Sequence, residues 1–73
     1  QEVPQKKPLR FDLSERELEV LKLLADGNSY KMIASRLDIT YYTVNAHLKK
    51  IYEKLQVHSA SEAVSVALRN SLV

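Results

Sequence analysis

The chain has 73 residues, no cysteine and a formal net charge of +2. This length allows one small domain, and the lack of cysteine excludes disulfide scaffolds, cysteine-ligated zinc and thiol catalysis. Apolar runs fall short of the roughly 20 residues of a membrane span, and the N-terminus lacks the apolar core of a signal peptide. Because the first residue is Gln rather than Met, we expect a piece of a longer protein.

The positive charge is concentrated in one part of the chain. Residues 11–30 carry a net charge of −3, whereas residues 31–58 carry +3. The bases of the second segment, opposed only by Asp38 and Glu53, are Lys31, Arg36, Lys49, Lys50 and Lys54. Such a local excess favours binding to phosphate. Lysines also cover ordinary solvated helix faces, so charge alone leaves both interpretations open.

Residues 1–12 contain two prolines and show no helical or strand periodicity. We interpret them as the disordered end of an interdomain linker, with the folded domain at residues 13–73. The basic side chains of Lys6, Lys7 and Arg10 could instead contact a phosphate backbone.

A first helix is predicted at about residues 14–26. Ser14 and Glu17 have the spacing of a capping box, Leu13 and Leu18 that of a hydrophobic staple, and Gly27 supplies a left-handed stop. A core stripe is expected from Leu18, Val20, Leu21, Leu23, Leu24 and Ala25. With no nucleophile, histidine or glycine loop nearby, we assign the carboxylates to capping rather than to catalysis.

A second helix is predicted at residues 30–37 and a third at residues 41–55, with Ser29 and Thr40 as their N-caps. Apolar residues recur in the third helix at spacings of three and four, at Val44, Leu48, Ile51 and Leu55. The residues between the two helices suffice only for a tight turn, and the small Ala34 allows a close crossing. We interpret the pair as a helix-turn-helix that presents its second helix to DNA.

The outer face of the third helix carries Tyr42, Asn45, Ala46, Lys49 and Lys50. An amide suits adenine, a methyl suits the thymine methyl group, and an ammonium suits the guanine acceptors. The helix would be about 22 Å long, enough to cross a major groove. The alternative is an ordinary solvated helix face.

Two further residues receive structural assignments. His47 lies at the edge of the buried stripe without a second metal ligand one turn away, so we expect a hydrogen-bonded structural histidine and predict no metal or cofactor. Met32 is expected to fill a gap at the edge of the core.

A fourth helix is predicted at about residues 59–71. Ser59 and Glu62 again have capping-box spacing. The expected stripe is Ala63, Val64, Ala67 and Leu68. Its small alanines indicate close approach of a neighbour, either the first helix or a second copy of the domain.

Three motifs resemble the LuxR-type helix-turn-helix domain, in particular the C-terminal output domain of NarL/FixJ-type response regulators. They are LSERELEVLKLLADG, YKMIASRLDITYYTVNAHLKKIYEKL and VHSASEAV, and the resemblance extends from Leu13 to Val73. It implies a compact all-α bundle of four helices, in which the third enters the major groove and the fourth makes the dimer contact. Departures from the family pattern are Ala60 for a common arginine, Met32 for a common glutamate and Ser71 for a frequent glycine.

The resemblance also implies roles for individual residues. Contacts with base edges are assigned to Asn45, Ala46 and Lys49. Contacts with phosphates are assigned to Lys31, Thr40, Thr43 and Lys50, and we add Tyr42 to this set as our own expectation. The dimer contact is assigned to Val66, Asn70 and Val73.

The function that the resemblance implies is sequence-specific binding of double-stranded DNA by a transcriptional regulator, without catalysis or cofactor. The implied partners are a second copy on DNA, an N-terminal receiver domain and RNA polymerase, in the bacterial cytoplasm. Two alternatives remain: a helical protein-interaction module, or a promoter-binding domain like region 4 of a sigma factor. A groove for a partner helix would require exposed Leu, Met or Phe on residues 41–50, where the sequence offers Asn, Lys and Tyr.

Overall fold

A computed structural model describes residues 11–73, and their architecture is all-helical, as predicted. The helices are α1 (Glu15–Ala25), α2 (Tyr30–Leu37), α3 (Tyr41–Leu55) and α4 (Ala60–Arg69). The helices α2 and α3 have the predicted bounds, whereas α1 and α4 are slightly shorter. Within the described part of the chain, no helix is long and apolar enough to cross a membrane.

The predicted linker at residues 1–12 lies mostly outside the described residues. Its last two members, Phe11 and Asp12, form a turn with φ angles of 55° and 60°. Phe11 packs against the hydrophobic core. Among the described residues, contacts with the hydrophobic core therefore extend to two positions before Leu13.

Each helix begins at the predicted N-cap. In α1 the capping box is complete, because Ser14 Oγ accepts a hydrogen bond from the Glu17 N–H (3.1 Å) and Glu17 Oε1 accepts one from the Ser14 N–H (2.9 Å). The box predicted for α4 is only half formed. Ser59 Oγ accepts from the Glu62 N–H, but the Glu62 carboxylate accepts from the N–H of His58 rather than from that of Ser59.

All four helices end in the same way, with a residue in the left-handed region. In α1 this residue is Gly27, with φ of 97°, but the other three are not glycines: Asp38, Gln56 and Ser71. At each end, two backbone hydrogen bonds close a Schellman motif, as when the N–H groups of Asp38 and Ile39 donate to the carbonyls of Ser35 and Ala34. The motif at Ser71 explains why α4 ends before the predicted residue 71.

The helix α3 lies at the centre of the core. It contributes Val44, Leu48, Ile51 and Leu55, all 4% exposed or less. Around them pack residues from the other helices and from the start of the domain: Leu13, Val20, Leu21, Ile33, Ala34, Ala63 and Ala67. Each large aliphatic side chain of this kind contributes about 1.5–3 kcal/mol when fully buried. Burial on one side of α3 fixes which side remains exposed.

Two residues predicted to be in or beside the core lie on the surface instead. Met32 is 46% exposed and Leu68 is 62% exposed. In α4 the buried residues are the alanines at positions 63 and 67, one turn apart. Because successive helical residues are rotated by about 100°, the position after Ala67 points away from the core.

Candidate nucleic-acid interface

The face of α3 opposite the core carries the three residues predicted to contact bases. Asn45, Ala46 and Lys49 are all exposed, and their positions i, i+1 and i+4 lie on one side of the helix. An amide, a methyl and an ammonium group therefore lie side by side on a surface that folding leaves free. In the first ten residues of α3, the one Leu, Met or Phe is Leu48, and it is buried.

The start of α3 provides hydrogen-bond donors for an anion. Thr40 Oγ1 accepts from the N–H of Thr43 (3.1 Å), and the two threonine hydroxyls lie 2.9 Å apart. Their mutual bond uses one of the two hydroxyl protons, so the pair has one proton left to donate. The positive end of the helix dipole lies at the same place and favours negative charge.

Two predicted phosphate contacts come from exposed lysines on different helices. Lys31 follows the first residue of α2, whose N-cap Ser29 accepts a hydrogen bond from the N–H of Met32 (3.2 Å). Lys50 lies on α3 beside Lys49. Among residues 11–73, none of these three lysines forms an ion pair.

The other two bases of the positive segment are engaged inside the domain. Lys54 Nζ donates to Glu17 Oε1 (2.7 Å) and to the carbonyl oxygen of Asp12 (3.0 Å). Arg36 Nε donates to Oδ1 of Asn28 (2.9 Å), whose amide in turn donates to the Leu23 carbonyl. Because Glu17 is charged and Asn28 is neutral, the pair with Glu17 offsets the charge of Lys54, whereas Arg36 keeps its own. The segment charge of +3 therefore overstates the charge available to a ligand by about one.

The carboxylate of Glu17 is buried, with only 5% of the residue exposed. Burial raises the pKa of this group, but hydrogen bonds from Lys54 and from the Ser14 N–H outweigh burial and hold the pKa below its usual value. The ion pair links α1 to the C-terminal turn of α3. The orientation of α3 thus depends on a charge pair as well as on apolar packing.

The four tyrosines of the chain form one connected row, which we call the tyrosine row: Tyr42, Tyr41, Tyr30 and Tyr52. The rings of Tyr41 and Tyr42 are nearly perpendicular, with centroids 6.4 Å apart. The Tyr30 ring lies 6.1 Å from that of Tyr41, and its hydroxyl lies 2.7 Å from the Tyr52 hydroxyl. Burial, followed by the bond with Tyr30, raises the pKa of Tyr52.

Our sequence analysis did not identify this row. One signal was present, since Tyr41 and Tyr52 are three helical turns apart and so lie on the same side of α3. The contribution of Tyr30 depends on the way α2 packs against α3.

The residues predicted for a dimer contact are partly used within the domain. Val66 packs against the core, and the Asn70 side chain donates to the Val66 carbonyl oxygen (2.9 Å). Val73 is 39% exposed, and the more exposed Leu68 was not predicted for this surface.

His47 is half-buried and has no side-chain hydrogen bond to another described residue, in contrast to the predicted bonded role. In the described part of the chain, His, Asp and Glu side chains do not gather in groups of three or more that could hold a metal ion.

Known proteins similar to this chain are bacterial transcriptional regulators. A family model described as bacterial regulatory proteins, luxR family, matches residues 12–67. The chain is 40% identical over 72 residues to the transcriptional regulatory protein DegU of Brevibacillus brevis, covering 99% of this chain and 30% of the relative. It is 43% identical over 61 residues to the response regulator protein VraR of Staphylococcus aureus, covering 84% of this chain and 29% of the relative.

A solved structure is similar as well. The crystal structure of response regulator ChrA, from a heme-sensing two-component system, matches with a TM-score of 0.81 and 35% identity. The match covers 97% of this chain and 33% of that one. The chain thus spans about a third of the length of the proteins that it matches.

Proposed function

Because the chain belongs to the LuxR family of bacterial regulatory proteins, we propose that it binds double-stranded DNA sequence-specifically as the output domain of a two-component response regulator. In the whole protein this domain follows a receiver domain, works in the bacterial cytoplasm and controls transcription by RNA polymerase. The proposal assigns it no catalytic step. The response regulators among its relatives favour this function over region 4 of a sigma factor.

One observation carries the proposal: the exposed face of α3 presents Asn45, Ala46 and Lys49 together, opposite the face that forms the core. In the major groove, an amide can bond adenine, a methyl can contact thymine, and an ammonium can donate to guanine. A groove for a partner helix would need exposed Leu, Met or Phe at the same place. This composition favours DNA over a protein helix as the ligand.

Phosphate contacts fix the position of the domain on the duplex. We assign them to Lys31 on α2, to Lys50 on α3 and to the hydroxyl pair of Thr40 and Thr43. The lysines are exposed, and the threonine pair retains one hydroxyl proton for donation.

We further propose that two copies bind two half-sites about one helical turn apart. The predicted contact residues Val66, Asn70 and Val73 would be joined by Leu68, which is 62% exposed. This apolar surface is small against the roughly 1,000 Å² of a stable interface. The domain should therefore be monomeric without DNA and paired on it, which sedimentation with and without a two-site duplex would measure.

The test of the function is a fluorescence anisotropy titration with a duplex selected from a random pool. With about three to five phosphate contacts per domain, the logarithm of the binding constant should fall against the logarithm of salt concentration with a slope of roughly −3 to −4.5. Lack of binding, or a slope near zero, would contradict the proposal. A scrambled duplex measures the part of the affinity that does not depend on sequence.

A further inference from the structure

We propose that Tyr42 is a specificity-determining residue whose ring contacts the 5-methyl group of a thymine, with the rest of the tyrosine row holding that ring in position. This inference rests on the proposed DNA binding and adds to it a base preference at one position. It replaces the expected contact between the Tyr42 hydroxyl and a phosphate.

Tyr42 is 82% exposed, the largest exposure among the large apolar side chains that the structure places on the surface. Its ring therefore contributes little to the core of its own domain. It follows the first residue of α3, and N-terminal residues of a recognition helix are those that reach base edges.

The Tyr42 ring is supported by the other tyrosines of the row. Its edge-on neighbour Tyr41 has its centroid 6.4 Å away, and Tyr41 in turn packs on Tyr30. Tyr30 is anchored by the 2.7 Å bond between its hydroxyl and that of Tyr52. An aromatic side chain has few rotatable bonds, and a supported one loses less conformational freedom on binding. The tyrosine row thus holds the large apolar ring of Tyr42 in position before DNA binds.

Tyr42 is not needed as a hydrogen-bond donor to phosphate. The start of α3 already supplies hydrogen-bond donors for phosphate, namely the Thr40 and Thr43 hydroxyl pair and the helix N-terminus. An aromatic face gains most from an apolar partner, and the apolar group in the major groove is the thymine methyl.

The position of Ala46 predicts the distance between two contacted thymines. It lies one turn after Tyr42, about 6 Å further along the helix axis. If α3 lies along the major groove, where base pairs are about 3.4 Å apart, the two side chains would contact thymines about two base pairs apart.

The test uses the duplex selected from a random pool, in which each thymine is replaced in turn by deoxyuridine. This change removes one methyl group and leaves the hydrogen-bonding edge intact. For the unaltered chain, we expect one position, in addition to the one assigned to Ala46, where the replacement weakens binding about threefold to fivefold, the factor that corresponds to burial of one methyl group. In Tyr42→Ala that penalty should disappear, while penalties at other thymines remain.

Tyr42→Phe is the matched control, because it keeps the ring and removes the hydroxyl. It should bind like the unaltered chain and keep the deoxyuridine penalty. If Tyr42→Phe lost as much affinity as Tyr42→Ala, the hydroxyl would be the contacting group and the inference would be overturned. A deoxyuridine penalty that stays unchanged in Tyr42→Ala would also overturn it. A chain that binds no duplex would instead contradict the proposed function itself, and this inference with it.

The positioning role has its own test. Tyr52→Phe removes only the hydroxyl that anchors Tyr30, at a residue that is not among the proposed DNA contacts. It should reduce the thymine-to-deoxyuridine discrimination at the Tyr42 position and leave the salt slope unchanged. Tyr30→Phe removes the other half of the same bond and should have the same effect. Discrimination that remains intact in both variants, with lowered melting temperatures, would show that the pair has only a structural role.

Discussion

Lys54 Nζ lies 2.7 Å from Oε1 of Glu17, so the C-terminal turn of α3 is bonded to the first turn of α1. The same nitrogen lies 3.0 Å from the carbonyl oxygen of Asp12, where the chain enters the domain. One lysine thus joins the proposed DNA-contacting helix to helix α1 and to the last residue of the predicted linker. Its charge serves the fold, although the residue belongs to the most basic part of the sequence.

Glu17→Gln should lower the free energy of unfolding by about 1.5–3 kcal/mol at pH 7, the range for hydrogen bonds to charged groups. The pKa of Glu17 is lowered in the folded state from 4.5. Its stabilising effect is therefore complete above pH 4.5 and is lost as the pH falls through the lowered pKa. Urea denaturation at pH 7 and at several lower pH values should show the two proteins converging.

Glu19→Gln is the control for this prediction. Glu19 pairs with Arg16 at 3.2 Å on the same helix, but both side chains are well exposed. Exposed pairs contribute about 0–1 kcal/mol, so this substitution should have a small effect. Equal losses in the two variants would mean that burial of the Glu17 pair contributes nothing.

Lys31→Ala and Lys50→Ala should each weaken binding to all duplexes by a similar factor and reduce the salt slope by about 1. Contacts with phosphate oxygens carry no direct sequence information. Lys22→Ala, an exposed change on the acidic helix α1, is the control and should leave the slope unchanged. A changed sequence preference in either variant would assign that lysine to a base instead.

Asn45→Ala should separate binding from folding. Asn45 is exposed, and Asn is a poorer helix former than Ala by several tenths of a kcal/mol. Thermal melts should therefore show unchanged or slightly higher stability. Binding to the selected duplex should weaken by about 1–3 kcal/mol, the range for one bidentate base contact, and binding to a scrambled duplex should hardly change. Equal losses on both would make Asn45 a backbone contact, and loss on neither would remove it from the site.

Gln56→Gly should raise the free energy of unfolding by about 0.5–1 kcal/mol, since a left-handed conformation is costly for residues with a Cβ atom. Gln56 has φ of 59° at the end of α3 and is exposed. Glu53→Gly, three positions earlier inside the helix, should do the opposite and cost about 1 kcal/mol. Chemical denaturation of both variants would measure the two changes in the free energy of unfolding. A destabilised Gln56→Gly would show that the Gln side chain contributes to the cap.

The parts of the fold that were predicted correctly depend on neighbours in the sequence. Ser14 with Glu17 and the spacing of the α3 stripe from Val44 to Leu55 each concern a few consecutive turns, and both are present in the structure. The Lys54–Glu17 and Tyr30–Tyr52 bonds join residues 37 and 22 positions apart. Such contacts depend on how the helices cross, which periodicity does not specify. The exposure of Leu68 was missed for another reason. The expected apolar stripe of α4 included one residue beyond Ala67, and that residue points away from the core.

The base and phosphate contacts remain predictions for a different reason. A helical face opposite a core must be exposed, so the accessibility of Asn45, Ala46 and Lys49 follows from the stripe. What they bind depends on the groove that they enter, and this is a property of the duplex as much as of the chain. The family resemblance assigned the roles, and the geometry of α3 is compatible with them.

The separation of α3 into a buried and an exposed side has a consequence for how such a domain diversifies. Substitutions at exposed helix positions usually change stability by less than about 0.5 kcal/mol, whereas changes to Leu48 or Ile51 would open a cavity at the centre of the molecule. After a gene duplication, one copy could therefore exchange residues such as Asn45 and Lys49 and acquire a new operator without passing through an unfolded intermediate. The same freedom would let an engineer transplant the exposed side of α3 from one relative to another while the interior sequence stays unchanged.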